Sequence, residues 1–319
     1  MASEPEPGRS SHAQLPLLAR YSRLSRNARG AMWMLASAAT FTMMTMLIKY
    51  LGADYSAGLQ TFYRQAAGLL VLLPMIARDP RTVLRTTRPG ILLFRALAGT
   101  LGTILSFYAY QKLPLADANA LSFTRTLWLV PLAALVLKER VGARRVSATM
   151  IGFLGALLML QPALADSSRF GLPGVAALTS ALLFALTVTG MKIMTRDHST
   201  MTLMAWSAGL GFILAVPPAV LDWRWPAPLD LCLLAAMGVL GTITQAFYIK
   251  GMSEGDAAVM APMDYTRLIF AIGLGYLLFR EIPNTLTMVG AGVIIASTLY
   301  ITMRESRLGV AKTTPERAD

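Results

Sequence analysis

Arg125 and Arg267 each follow a threonine inside an apolar run, in the strings FTRTLWL and YTRLIFA. A guanidinium midway along a membrane helix costs about 2.5–3.5 kcal/mol on insertion scales, so it needs a counter-charge, a water-filled cavity or an anionic ligand. Asp264 stands three residues before Arg267 on the same helical face, which suits an ion pair. For Arg267, structural pairing and substrate contact stand level as readings. Ser122 occupies the matching place before Arg125. Arg125 must therefore find its counter-charge elsewhere, and is expected to be the substrate-facing arginine. Asp117 lies a little over two helical turns before it and is also placed to cap the start of that helix. Burial and Arg267 act on Asp264 in opposite senses, which makes it the candidate carboxylate for a coupling proton.

Arg64, in QTFYRQAAG near the start of an apolar run, either snorkels to the interface or enters the same cavity. Arg95, within two turns of a helix end, is expected to snorkel. Lys49 and Lys192 end their runs where a cation suits a helix C-terminus, and Glu139 and Glu281 sit beside Lys138 and Arg280 as interfacial ion pairs. Tyr108, Phe123, Tyr248 and Tyr265 flank the arginines along the chain. Packing and interfacial belts are the plain reading of such rings. If they line the cavity, the site suits a flat or amphipathic organic anion.

Other chemistries find little support. The two histidines are His12 and His198, and the one cysteine is Cys232, expected as an apolar packing residue. No intramolecular disulfide framework, CxxC centre or paired-histidine metal site can be built from that set. No metal and no cofactor are expected. The chain has no GxxxxGK[ST] loop for a self-contained ATP-driven pump, and no HExxH or Ser/His constellation. It is read as not an enzyme, with an intramembrane lipid-modifying transferase as a remote alternative.

The elements that must hold the arginines follow from composition: 55% hydrophobic, 14% charged, mean hydropathy +0.54. Ordinary soluble domains carry roughly a quarter charged residues, so an all-α integral membrane chain is expected. Ten apolar segments, over 30–50, 58–77, 90–110, 114–137, 146–164, 172–193, 200–221, 229–249, 257–279 and 285–303, approach the roughly 20 residues that cross a bilayer. The net charge of +12 lies between these runs rather than on one domain face, which argues against nucleic acid. Residues 1–29 read as a basic cytoplasmic tail beside lipid, and 304–319 as a second tail. Most lysines and arginines fall into the tails and alternate loops, so both termini are expected in the cytoplasm and the chain in the inner (plasma) membrane.

The halves repeat. Ser37, Ala38, Phe41 and Lys49 match Ser180, Ala181, Phe184 and Lys192 at one separation; GTLGTI from Gly99 matches GVLGTI from Gly238, and Asp117-Ala118 matches Asp256-Ala257. A further register lays Thr124-Arg125 and Glu139 on Thr266-Arg267 and Glu281. The repeats are taken as 30–164 and 172–303. Five spans in each half reverse the sense of the second, which makes two inverted five-helix repeats around a midplane site. The paired glycines are read as close-packing or pivot positions.

The stretches LPLADANALSFTRTLWLVPLAALVLKERV (113–141) and GDAAVMAPMDYTRLIFAIGLGYLLFREIP (255–283) resemble EamA-type carriers of the drug/metabolite transporter superfamily. The second is similar to the branch that includes S-adenosylmethionine and riboflavin uptake carriers. The resemblance covers Gly30 to Met303 and implies ten helices and secondary transport of a small polar or anionic organic metabolite, such as a cofactor, nucleoside-like or amino-acid-derived compound. Export of amino acids, metallophores or drugs is the alternative within the same fold. One departure stands out: Thr126-Leu127 occupies the place where many relatives have a helix-breaking proline, and the local proline is Pro131.

Overall fold

A computed structural model describes residues 25–83, 85–136, 143–165, 171–194, 200–254, 260 and 263–313. The helices are α1 (Arg26–Leu51), α2 (Ala57–Arg78), α3 (Pro89–Lys112), α4 (Leu115–Ser122), α5 (Thr124–Leu135), α6 (Ala143–Ala165), α7 (Gly171–Met194), α8 (Thr200–Leu221), α9 (Pro228–Glu254), α10 (Thr266–Phe279) and α11 (Thr285–Thr313), with a single turn at Pro80–Val83. No strand occurs among the described residues. In hydrocarbon only intra-segment hydrogen bonds can satisfy the backbone of a single span, which is why apolar runs of this length become helices. Ser25 and Ser56 cap α1 and α2 by accepting from the Ala28 and Leu59 amides. Lys49, Arg78 and Lys112 occupy last turns, where they complement the helix dipole.

The molecule is inside-out relative to a soluble domain. Leu135, Leu172 and Ile269 are 70–77% exposed, while Thr42, Thr45, Gln60, Thr61 and Asn119 are fully buried. Lipid is the solvent that tolerates this arrangement. The buried hydroxyls return to their own helices, Thr42 to the Ala38 carbonyl at 2.8 Å and Thr61 to that of Ala57 at 2.7 Å. Five helices are long and apolar enough to cross a membrane by length and composition: α1, α3, Gly171–Gly190 of α7, Thr202–Leu221 of α8, and α9. Val146–Leu158, Thr266–Phe279 and Thr285–Ser297 are shorter apolar helices. Each expected segment carries helix, and the fourth carries two.

Packing follows the repeat. The most extensive contacts join α1 to α9, α3 to α7, α6 to α11 and α2 to α8. Exchanging the halves turns α1 against α9 into α7 against α3, and leaves the α2–α8 and α6–α11 pairs as they are. Such a pattern is that of two inverted repeats about a pseudo-twofold axis. The repeat glycines serve these seams. A Cβ on Gly102 would lie 3.2 Å from Leu183 of α7, one on Gly241 3.2 Å from the Met44 sulfur of α1, and one on Gly238 2.5 Å from Ala67 of α2.

Several residues sit otherwise than their local sequence suggests. Arg95 does not snorkel: it is buried, and its guanidinium donates to the Ser207 hydroxyl and, at 3.4 Å, to the Leu203 carbonyl, tying α3 to α8. Asp117 is in the first turn of α4, whose N-cap is Pro114. Cys232 is exposed on α9 rather than packed inside. Helix α11 continues to Thr313, past the expected end at residue 303. Glu139, Asp256, residues 1–24 of the basic tail and the Lys192 side chain lie outside what is described.

Candidate functional site

The fourth span breaks at Phe123 without a proline there. The Phe123 amide reaches back to the Ala120 carbonyl at 3.2 Å, α4 stops at Ser122, and α5 restarts at Thr124. In the second half α10 likewise begins at Thr266, after a turn at Asp264 and Tyr265. The N-cap of α5 is Phe123, with φ −67° and ψ −19°; that of α10 is Tyr265, with φ −72° and ψ −13°. In each, the following threonine hydroxyl donates three residues back at 2.6 Å, Thr124 to Leu121 and Thr266 to Met263. Two half-helices thus begin with the same local geometry; the Thr126, Arg267 and Leu268 amides bond back three residues, and the N-terminal dipoles favour negative charge.

The register that lays Thr124-Arg125 on Thr266-Arg267 also lays Phe123 on Tyr265. Those two rings touch, edge to face, with centroids 4.8 Å apart. A residue in contact with its own repeat mate lies at the pseudo-twofold axis. Arg125 and Arg267 therefore flank that axis two residues further along each half-helix.

The two arginines are held differently. The Arg267 guanidinium donates to Asp264 Oδ2 at 2.5 Å and, through Nε, to the Asp264 carbonyl at 3.2 Å. It lies over the Phe41 ring at 4.6 Å and the Phe123 ring at 5.2 Å, both within cation–π range. The residue is 9% exposed. Arg125 is half-buried and makes no hydrogen bond or ion pair among the described residues. Ser122, which stands where Asp264 stands in the second half, spends its hydroxyl on the Asn119 carbonyl at 2.6 Å.

Tyr110 and Tyr248 connect the charges. Both phenols lie in the combined field of Arg125, Arg267 and Asp264. Tyr110 is 3% exposed, packs edge to face on Phe41 at 6.3 Å, and its hydroxyl lies beside that of Ser122; Tyr248 is half-buried. Tyr108 is half-buried and packs against the main apolar cluster. Tyr108 and Tyr110 point about 200° apart around α3, so only one can face the charges. Local sequence does not say which.

Arg64 is drawn inward rather than to the interface. Its Nε is buried without a partner, beside Gly241 of α9, where an added Cβ would lie 3.3 Å from it. Phe62 and Tyr63 next to it join Phe212 and Trp223 in a run of ring contacts at 5.2–6.4 Å. Arg125, Arg267, Asp264, Tyr265, Phe123 and Tyr248 thus share one polar centre, and Arg64 supplies a further buried cation on α2.

A second polar group joins the halves. Lys49 at the end of α1 pairs with Glu281, which follows α10, and also donates to the Leu113 carbonyl at 2.7 Å. The other Glu281 oxygen accepts from the Leu115 amide at 2.9 Å, so a carboxylate of the second half caps α4 of the first. Glu281 makes no ion pair with its neighbour Arg280, which is exposed and takes the left-handed conformation at φ 56° to end α10.

Fold and site together define a multi-pass membrane protein with two repeated helical halves around an axial pair of arginines. The chain belongs to the EamA-like transporter family, which matches it twice, over residues 28–161 and 172–303. It is similar to the S-adenosylmethionine uptake transporter of Rickettsia prowazekii, at 29% identity over 87% of this chain and 94% of that protein. It is also similar to the pseudopaline exporter of Pseudomonas aeruginosa, at 28% identity over 82% and 92%, and to the riboflavin transporter of Rhizobium johnstonii, at 28% over 89% and 94%. One solved crystal structure superposes with a TM-score of 0.58 at 17% identity, over 88% of this chain and 99% of its own, which shows the fold alone.

Proposed function

We propose that this chain is a secondary carrier that moves a small polar or anionic organic metabolite across the inner membrane by alternating access, with both termini in the cytoplasm. The observation that carries the reading is the Arg125 guanidinium beside the axis, with no hydrogen bond or ion pair among the described residues, across from a mate already neutralised by Asp264. An anionic substrate group gives Arg125 the partner its own helix lacks, aided by the N-terminal dipoles of α5 and α10. Arg267 and Asp264 then act as a fixed dipole beside it, Tyr110 and Tyr248 offer hydroxyls, and Phe123 and Tyr265 form the floor. Arg64 extends the site toward α9. The relatives named for S-adenosylmethionine and riboflavin favour a cofactor-sized substrate with a flat ring system. The relative named as an exporter favours a second reading, outward movement of an amino-acid-derived compound through the same centre.

The test is uptake and efflux of labelled S-adenosylmethionine, riboflavin and amino acids in proteoliposomes of the full-length protein, with the Arg125→Ala and Arg267→Ala variants alongside. The reading expects at least one compound to move and Arg125→Ala to abolish its movement while membrane insertion persists. Unaltered transport in Arg125→Ala contradicts the site assignment.

A further inference from the structure

Asp117 is not used by the polar centre. It is 2% exposed, and its Oδ1 has no hydrogen-bond partner. The charged groups acting on it are Glu281 and Lys49, and the nearby hydroxyl is that of Thr287 on α11. Among the described residues no further charge is brought to it: α7 has no titratable residue between Gly171 and Gly190, and α3 carries Arg95, bonded to Ser207, the phenols Tyr108 and Tyr110, and the exposed Lys112. On α10, Arg267 is committed to Asp264 and Tyr276 is 49% exposed; on α5 the one ionisable residue is Arg125.

Among the described residues, Asp117 and Glu281 lie in the field of one ammonium, Lys49, and Asp117 is otherwise met by the Thr287 hydroxyl. Glu281 holds Lys49 directly and spends its second oxygen on the Leu115 amide. That leaves a buried carboxylate with no cation of its own, a state that costs several kcal/mol in a low-dielectric interior. Binding one proton removes the cost.

We propose that Asp117 is a proton-binding site, loaded while Lys49 is paired with Glu281 and emptied when that pair opens. The pair bridges the two halves, from α1 and α4 of the first to the end of α10 in the second. Separating the halves frees Lys49 to neutralise Asp117, which releases its proton; closing them returns Lys49 to Glu281 and takes a proton up. Proton movement is thereby tied to the rocking of the repeats. This inference rests on the carrier reading for its use, but its chemistry can be measured without any substrate.

Infrared absorption of the full-length protein in lipid vesicles at neutral pH, without substrate, reads the carbonyl band of a protonated carboxylic acid directly. The expected result is a band that disappears in Asp117→Asn. It should also disappear in Glu281→Gln, where Lys49 passes to Asp117, and grow in Lys49→Met, where two carboxylates lose their cation. The last two variants keep the test decisive if Asp117→Asn fails to insert. A band unaltered by Asp117→Asn or by Glu281→Gln overturns the proposal, as does a band abolished when sodium replaces choline in the buffer. Failure of transport with the band behaving as expected would count against the carrier reading alone.

Discussion

Arg125 and Arg267 begin the same turn of equivalent half-helices, yet among the described residues only Arg267 is tethered. Backbone geometry matches to within a few degrees at Phe123 and Tyr265, and the threonine back-bonds are both 2.6 Å. The difference lies in one position, Ser122 against Asp264. Duplication supplies a symmetric frame for exposing a site to either side. A single substitution within it separates a structural cation from one that can take a ligand.

The largest expected effect comes from removing the free member. Truncating one partner of a desolvated charge contact typically costs about 2–5 kcal/mol, so Arg125→Ala should reduce transport of an anionic substrate by roughly 30-fold or more. Arg125→Lys keeps the charge without the planar fork and should recover part of it. Initial rates in proteoliposomes check both. Removing the tether should act on stability instead. Asp264→Ala strands Arg267 in a site where its side chain is 11% exposed, and loss of one partner of a buried pair costs about 3–5 kcal/mol. Thermal unfolding in detergent should show that loss, against a change within about 1 kcal/mol for Ser122→Ala. Equal shifts would erase the distinction between the halves.

A gentler probe gives Arg125 a tether of its own. Ser122→Asp should compete with the substrate and weaken its apparent affinity about tenfold, the equivalent of about 1.4 kcal/mol. The smallest effect is expected at Tyr110→Phe. Its hydroxyl is buried beside Ser122 and meets no closer partner among the described residues, so removal should change stability by no more than about 1 kcal/mol, while substrate affinity falls only a few-fold. A large loss of stability would mean the hydroxyl is bonded within the protein.

Much of this frame is readable before any coordinates. Apolar run length and repeat register place both spans, pair Arg125 with Arg267, and expose the Ser122 to Asp264 asymmetry, because each depends on neighbours within a turn or on constant spacing. The Arg267 to Asp264 bond is legible for the same reason. Partners that come from the other half are not. Glu281 adjoins Arg280 in sequence but pairs with Lys49, and Arg95 looks like an interfacial cation but bonds Ser207 on α8. Tyr110 rather than Tyr108 reaches the field of the charges because of how α3 is rotated, a tertiary property. The break at Phe123 occurs without a proline there, Pro131 lying eight residues further on inside α5.

Relocating the tether shows whether the missing carboxylate chooses the ligand-binding arginine. In the double variant Ser122→Asp with Asp264→Ser, the carboxylate moves to the first half and the free guanidinium to the second. Transport of a labelled substrate is then measured after adding Arg125→Ala or Arg267→Ala to this background. Sensitivity should change places, with Arg267→Ala abolishing transport and Arg125→Ala reducing it less. Transport that still depends chiefly on Arg125 would contradict it, because the ligand-binding arginine would then be chosen by its position in the fold and not by the missing carboxylate.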